Sequence, residues 1–187
     1  MRVSWSSLLA DVRGCEKCAL CRGRMNVVPG EGDPNADLMF IGEGPGAEED
    51  RLGRPFVGRS GELLTKMIHA IALERSEVYI CNVVKCRPPA NRDPAPEEAE
   101  TCLPYLRAQV ALVRPRVIAL LGRVACQYTL REQISVTRDH GRWFERKGVW
   151  MMPTFHPAAL LRDPARKRDA WEDFQKLRDK LREVQHG

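Results

Sequence analysis

The stretch "ADLMFIGEGPG", residues 36–46, decides the fold. Leu38, Met39, Phe40 and Ile41 form a continuous apolar run, and Gly42, Gly44 and Gly46 follow at once. A short apolar run closed by glycines reads as a strand buried on both faces that ends in a loop. Two runs of the same kind follow, in "VYICNVVKC" (78–86) and "RVIALLG" (116–122). Between them, "SGELLTKMIHAIAL" (60–73) places apolar residues at helical spacing. "PEEAETCLPYLRAQVALV" (96–113) opens with proline and acids, as a helix start should, with Pro104 expected to interrupt it. "SWSSLLADVRG" (4–14) reads as a short helix capped by serine and stopped by Gly14, and "RVACQYTLREQ" (123–133) as another short helix. "GRWFERKGVWMMPTFHP" (141–157) reads as a hairpin whose second strand ends at His156, and an amphipathic helix is expected from Asp163 to about Glu183. Strands alternating with helices predict an α/β protein, a largely parallel sheet with helices on both faces.

Open sheets of this kind bind ligands beyond the carboxyl ends of their strands. Three unusual segments follow apolar strands: Gly42 to Gly46, Asn82 to Arg87, and His156 to Arg162. They are expected to converge on one cleft. The three glycines invite comparison with a dinucleotide loop, but the match is poor. Pro45 stiffens the loop, and Glu48, Glu49 and Asp50 would repel a phosphate at the helix start such a loop requires. The glycines point instead to close approach of backbone to a flat, uncharged group. Phe56, in the constrained "RPFVG" (54–58), is placed either to stack on that group or to plug the core.

The totals set outer bounds. The 187 residues suit one domain with a full core, and 43% hydrophobic residues suit a globular chain. The net charge of +5 permits a nucleic-acid partner without demanding one. The first residues lack the apolar core of a signal peptide, and no apolar run approaches the roughly 20 residues of a membrane span. A soluble cytoplasmic protein is the expectation, in which clustered thiols bind metal or do redox work rather than form disulfides. Among the seven cysteines, "CEKCALC" (15–21) opens with the C-x2-C pair Cys15 and Cys18, while Cys86 and Cys102 lie far off in sequence. Zinc, an iron–sulfur cluster and unligated thiols all fit this spacing, and Cys21 competes for a ligand place. Cys81 and Cys126 sit in apolar patterns and are expected to pack in the core.

"GEGPGAEEDRLGRPFVGRSGELL" (42–64), "CNVVKCRPPANRDP" (81–94) and "HPAALLR" (156–162) together closely resemble the family-four uracil-DNA glycosylases, the iron–sulfur branch found in bacteria and archaea. The resemblance runs from the cysteine loop to the last helix. It implies the uracil-glycosylase fold, three layers around a four-stranded, mostly parallel sheet. It implies a [4Fe–4S] cluster on Cys15, Cys18, Cys86 and Cys102, with Cys21 outside the ligand set. Residues 1–187 would then be a single domain whose N-terminal cysteine loop is joined to the core by the cluster.

The implied substrate is uracil in single- or double-stranded DNA, met by a monomer at the nucleoid. The implied reaction is hydrolysis of the glycosidic bond after the nucleotide has been flipped out of the stack. In this reading Phe56 stacks on the base, Asn82 reads its edge, and the backbone of Gly44 and Gly46 contacts it. His156 stabilises the departing uracil anion. The better-known branch carries an aspartate where Gly44 stands here. Glu43 is therefore the nearest carboxylate, placed to orient water, stabilise the sugar cation or exclude thymine. Leu160 or Leu161 would fill the hole left by the flipped base, or else simply open the last helix. Lys85, Arg87, Arg92, Arg59 and Arg162 are candidates for phosphate contacts, against the ordinary reading of solvated charges. The related branch that is trapped on DNA through a histidine in an inserted basic loop is disfavoured, because "CRPPANRDPAPEE" (86–98) has neither insert nor histidine. A non-catalytic iron–sulfur nucleic-acid-binding module and a redox sensor are the readings from other classes.

Overall fold

The computed structural model of the chain describes residues 4–186. In chain order, α1 (Trp5–Arg13) precedes β1 (Glu31–Gly32), β2 (Leu38–Gly42), α2 (Ala47–Leu52), α3 (Arg59–Ala70) and β3 (Tyr79–Asn82). Then come α4 (Pro96–Val113), β4 (Val117–Leu121), α5 (Arg123–Leu130) and α6 (Val136–Asp139). The chain closes with β5 (Phe144–Arg146), β6 (Val149–Thr154), α7 (Pro157–Arg162) and α8 (Lys167–His186).

The sheet order is β1-β3-β2-β4-β6-β5. Its four central strands are parallel, and β1 and β5 join the edges antiparallel. The expected four strands are therefore the centre of a six-stranded mixed sheet. Of the two edge strands, β5 is the first arm of the hairpin expected over 141–157, and β1, two residues long, is too short to print an apolar run in the sequence.

Every residue of β2 and β4 is buried. Alternation along β2 divides the core, as the pleat requires. Met39 and Ile41 face a cluster with Leu8 and Val12 of α1, Leu103 and Leu106 of α4, and Val124 of α5. Leu38 and Phe40 face the other side, with Leu64 and Ile68 of α3 and Phe174 and Leu177 of α8. Ser4 caps α1, its hydroxyl accepting the Ser7 N–H at 3.2 Å.

Three local expectations change. Helix α4 runs through Pro104 without a break, because Pro104 is exposed while Cys102, Leu103, Tyr105 and Leu106 around it are buried. The packed face holds the helix, and the carbonyl that the proline leaves unbonded lies on the solvent side. The last helix starts at Lys167 rather than Asp163, after a separate 3-10 turn over Pro164–Arg166. The glycine loop leads directly into α2, whose first turn carries Glu48, Glu49 and Asp50. Among the described residues, no helix is long and apolar enough to cross a membrane.

Asp173 of α8 is fully buried and ties the helix to the sheet. It accepts from Thr154 Oγ1 at 2.7 Å and faces His140 Nδ1 at 3.0 Å. Asp173→Ala strands the buried Thr154 hydroxyl and removes the partner of the part-buried His140. A loss of about 3 kcal/mol in urea unfolding is expected; an unchanged midpoint and slope would show that the network contributes nothing.

Candidate active site

A cleft of about 610 Å³ opens at the carboxyl ends of the central strands. The three segments singled out in the sequence meet there. Glu43, Gly44 and Gly46 come from the loop after β2, Asn82 from the end of β3, and His156 and Arg162 from the segment after β6. Phe56 lines the same cleft and also packs into the core with Leu38 and Leu64. Its two sequence readings, stacking surface and core plug, are thus compatible in one side chain.

The floor depends on Gly42. Parallel pairing sets Gly42 opposite Asn82. A Cβ at Gly42 would lie 2.5 Å from Asn82 Oδ1 and 2.5 Å from Phe56 Cζ. Only a residue without a side chain lets ring and amide sit side by side over the strand end.

Phe56 is held in an uncommon conformation, with φ of 49°. A bulky residue there costs roughly 1–3 kcal/mol and needs its surroundings to impose it. Two charged groups do so. Arg75 donates to the carbonyls of Phe56 (2.9 Å) and Pro55 (2.8 Å), and its guanidinium pairs with Glu31. The buried Glu49 accepts the backbone N–H groups of Val57 (2.9 Å) and Gly58 (3.0 Å). Gly61 completes the clamp, since a Cβ there would overlap the Phe56 carbonyl.

Asn82 is 2% exposed, and its Oδ1 has no hydrogen-bond partner. An orphaned buried acceptor is uncommon and unfavourable by about 1–3 kcal/mol, so it marks a place where a ligand donor fits.

His156 caps α7: its Nδ1 accepts the Ala158 N–H at 3.1 Å. That bond leaves the ring proton on Nε2. Burial, helped by the Arg162 charge and opposed by Glu49, lowers the imidazole pKa to about 4, so it is neutral at pH 7. Its ring lies 5.5 Å from that of Phe56.

Glu43 is half-buried. Burial, with Asp93 beside it, pushes its carboxyl up to about 7, against the pull of Arg123. Arg123 also forms an ion pair with Asp93, and both line the cleft.

The remaining expected contacts divide. Lys85 is a correction: it is 1% exposed, and its Nζ donates inward to the Asn82 carbonyl (2.5 Å) and Gln109 Oε1 (2.6 Å). It is a core cation, not a surface one. Leu160 is also a correction, buried with Phe155 and Ala170, while Leu161 beside it is exposed. The turn of α7 points alternate neighbours to opposite sides, which a sequence cannot assign. Arg162 is exposed at the cleft, and Arg92 lines it while paired with Glu98. Arg87 lies outside the cleft lining and donates to Asn91 Oδ1, and Arg59 is exposed at the start of α3, also outside it.

The sequence reading gave no site role to Glu49, Arg75, Asp93 or Arg123. Arg123 had a positional signal: it follows the end of β4, a fourth strand end at which open sheets place ligands.

On the α4 side of the sheet, Cys15, Cys18, Cys86 and Cys102 line one small cavity, together with Cys21. Val12, Leu20, Val27 and Val84 form its apolar walls. All seven cysteines are free thiols, and Cys81 and Cys126 are buried in the core as expected. Among the described residues, no three His, Cys, Asp or Glu side chains converge as a single bound metal ion requires.

Gly42→Ala should force the Phe56 ring or the Asn82 amide aside. A loss of about 1–3 kcal/mol in thermal or urea unfolding is expected, and a variant as stable as the parent would show that the floor yields.

The family description "Uracil DNA glycosylase superfamily" matches residues 29–175. The chain is similar to the type-4 uracil-DNA glycosylase of Sulfurisphaera tokodaii, at 45% identity over 94% of this chain and 84% of that one. It is similar to that of Archaeoglobus fulgidus, at 42% over 93% and 92%, and to that of Thermotoga maritima, at 45% over 89% of each. A cleft with an orphaned amide, a neutral histidine and a stacking ring, set at the strand ends of this sheet, thus comes with similarity along most of the chain: it belongs to the uracil-DNA glycosylase superfamily, in its type-4 branch.

Proposed function

We propose that this chain removes uracil from DNA by hydrolysing the bond between uracil N1 and the deoxyribose, leaving an abasic site. The observation that carries the reading is the buried, unpartnered Oδ1 of Asn82 beside Phe56 and His156. Uracil is flat, fits against an aromatic ring, and presents an N3–H donor flanked by two carbonyls. That N–H satisfies Oδ1. Cytosine presents a bare N3 acceptor there, which repels Oδ1 and leaves it unpaired.

The chemistry follows from the remaining groups. As the N1–C1′ bond breaks, its electron pair passes to uracil and charge gathers on O2. The Nε2–H of a neutral His156 donates to that oxygen. Nδ1 is already occupied by Ala158, so the tautomer is preset. Positive charge develops on the sugar, and the Glu43 carboxylate offsets it or orients the water that adds to C1′, which then loses its proton. Leu161 is the exposed apolar side chain available to fill the vacated stack. Arg162 and Arg92 are the cleft's candidates for phosphate contact.

Because the base is read outside the stack, single- and double-stranded DNA both qualify. Action as a monomer belongs to the same reading. The substrate would place the work at the nucleoid of a bacterial or archaeal cell.

The cysteine cavity supports a [4Fe–4S] cluster on Cys15, Cys18, Cys86 and Cys102. The donor set fits: four thiols from three segments, apolar walls, and an arginine donor at one sulfur. Such a cluster supplies a covalent staple between the N-terminal loop and the β3–α4 segment, with no redox turnover required.

The direct test is incubation with labelled DNA holding one U·G pair, followed by alkali. Cleavage at uracil and none at cytosine supports the proposal; no cleavage on either single or double strands with the cysteine site loaded would overturn it. His156→Ala should lower the single-turnover rate by about 10²–10³.

The pH profile has a definite sign. Glu43 is protonated below about 7 and ionised above it. If its carboxylate form acts, the rate rises as pH increases through about 7, and Glu43→Gln is slow and flat across that range. His156, neutral above about 4, adds no limb between pH 5 and 9. A rate that falls through pH 7 in the parent would contradict the carboxylate role.

A further inference from the structure

Three cations line the cysteine cavity: Lys17, Arg24 and Lys85. Two are engaged elsewhere. The Lys17 ammonium sits 5.0 Å above the Tyr105 ring, and Lys85 Nζ is bound by the Asn82 carbonyl and Gln109. Arg24 alone of the three directs its side chain at a cysteine sulfur. Its Nη1 lies 3.2 Å from Cys86 Sγ and 2.8 Å from the carbonyl oxygen of Cys15.

This geometry is more than a surface charge finding a neighbour. One nitrogen bridges the two halves of the cysteine set, the loop of Cys15 and the segment after β3 that carries Cys86. A thiol sulfur is a poor acceptor and gives a guanidinium little reason to leave water. A thiolate bound to iron is an anionic acceptor, and charge-assisted bonds are about twice as strong as neutral ones. Four thiolates around a [4Fe–4S]2+ core leave net negative charge in an apolar pocket, where a cation is strongly favoured.

We propose that Arg24 is the positioning residue of the cysteine site: it holds the Cys86 sulfur and the Cys15 backbone in register for the cluster and offsets part of the negative charge of the ligands. This rests on the cluster reading given above. Arg24 touches neither the cleft nor the base, so its effect is on cluster retention and electronics. Hydrogen bonds to ligand sulfur and nearby positive charge also raise a cluster's reduction potential.

The test compares parent, Arg24→Ala, Arg24→Gln and Cys86→Ser, all purified anaerobically. Iron and sulfide per chain, the visible absorbance, bleaching by EDTA in air, and the cluster midpoint potential are measured for each. The parent should hold about four irons per chain, and Cys86→Ser should lose most of them. Arg24→Ala should bleach about tenfold faster or more, as loss of groups that orient metal ligands does. Its midpoint should move negative. Arg24→Gln keeps an N–H donor without the charge, so it should bleach at an intermediate rate and still show the negative shift, which a merely structural defect would not produce. If both Arg24 variants bleach at the parental rate with the parental midpoint, the inference is overturned while the cluster stands. If the parent holds no iron, or Cys86→Ser keeps its full content, the cluster reading itself fails and the inference falls with it. Circular dichroism of the EDTA-treated forms separates cluster loss from failure to fold: an Arg24→Ala chain already unfolded would leave Arg24→Gln to decide.

Discussion

The close approach at Gly42 is the constraint on which the site depends. Strands β2 and β3 are parallel, and their register sets this residue against Asn82. The Phe56 ring and the Asn82 amide occupy the space that any Cβ would claim. From that contact follow the stacking surface, the orphaned acceptor beside it, and the need to hold Phe56 at positive φ. Arg75 and Glu49 impose that conformation through four backbone hydrogen bonds, so the rigidity of the cleft comes from groups that never face it as reactants.

The electrostatics of the cleft are arranged around neutrality. His156 is kept uncharged by burial and the nearby Arg162, as the donor role proposed for it requires. Burial, with Asp93 beside it, raises the Glu43 carboxyl to about 7 against the pull of Arg123. The two groups therefore differ in kind: one is fixed in a single state across the working range, and the other is responsive to pH. Lys85, buried behind Asn82, joins the cleft to the cysteine cavity, since it binds the Asn82 carbonyl and also lines that cavity.

Much of this was legible in the residues. The apolar runs over 38–41, 79–81 and 117–121 carry β2, β3 and β4, and the glycine-, asparagine- and histidine-bearing segments at the ends of β2, β3 and β6 marked the cleft. The burial of Cys81 and Cys126 followed from their apolar neighbours. Other features could not be read. The edge strand β1 is too short to leave a pattern, whereas β5 was foreseen as the first arm of the 141–157 hairpin, and the continuity of α4 through Pro104 depends on tertiary packing that outweighs a local penalty. Lys85 and Leu160 have the composition of surface and wedge residues, but the direction each side chain takes is set by the turn that follows its strand. Arg75 lies outside the motifs, and only the folded chain brings it to the Phe56 loop, while Glu49 lies within the glycine motif but reads there as one acid among three.

The most direct measurement of the central claim is a crystal structure of the protein with free uracil. The account predicts uracil against the Phe56 ring, its N3 within about 2.7–3.2 Å of Asn82 Oδ1 and its O2 facing His156 Nε2. Uracil bound elsewhere, or bound in the cleft with Asn82 Oδ1 still unpartnered, would contradict it.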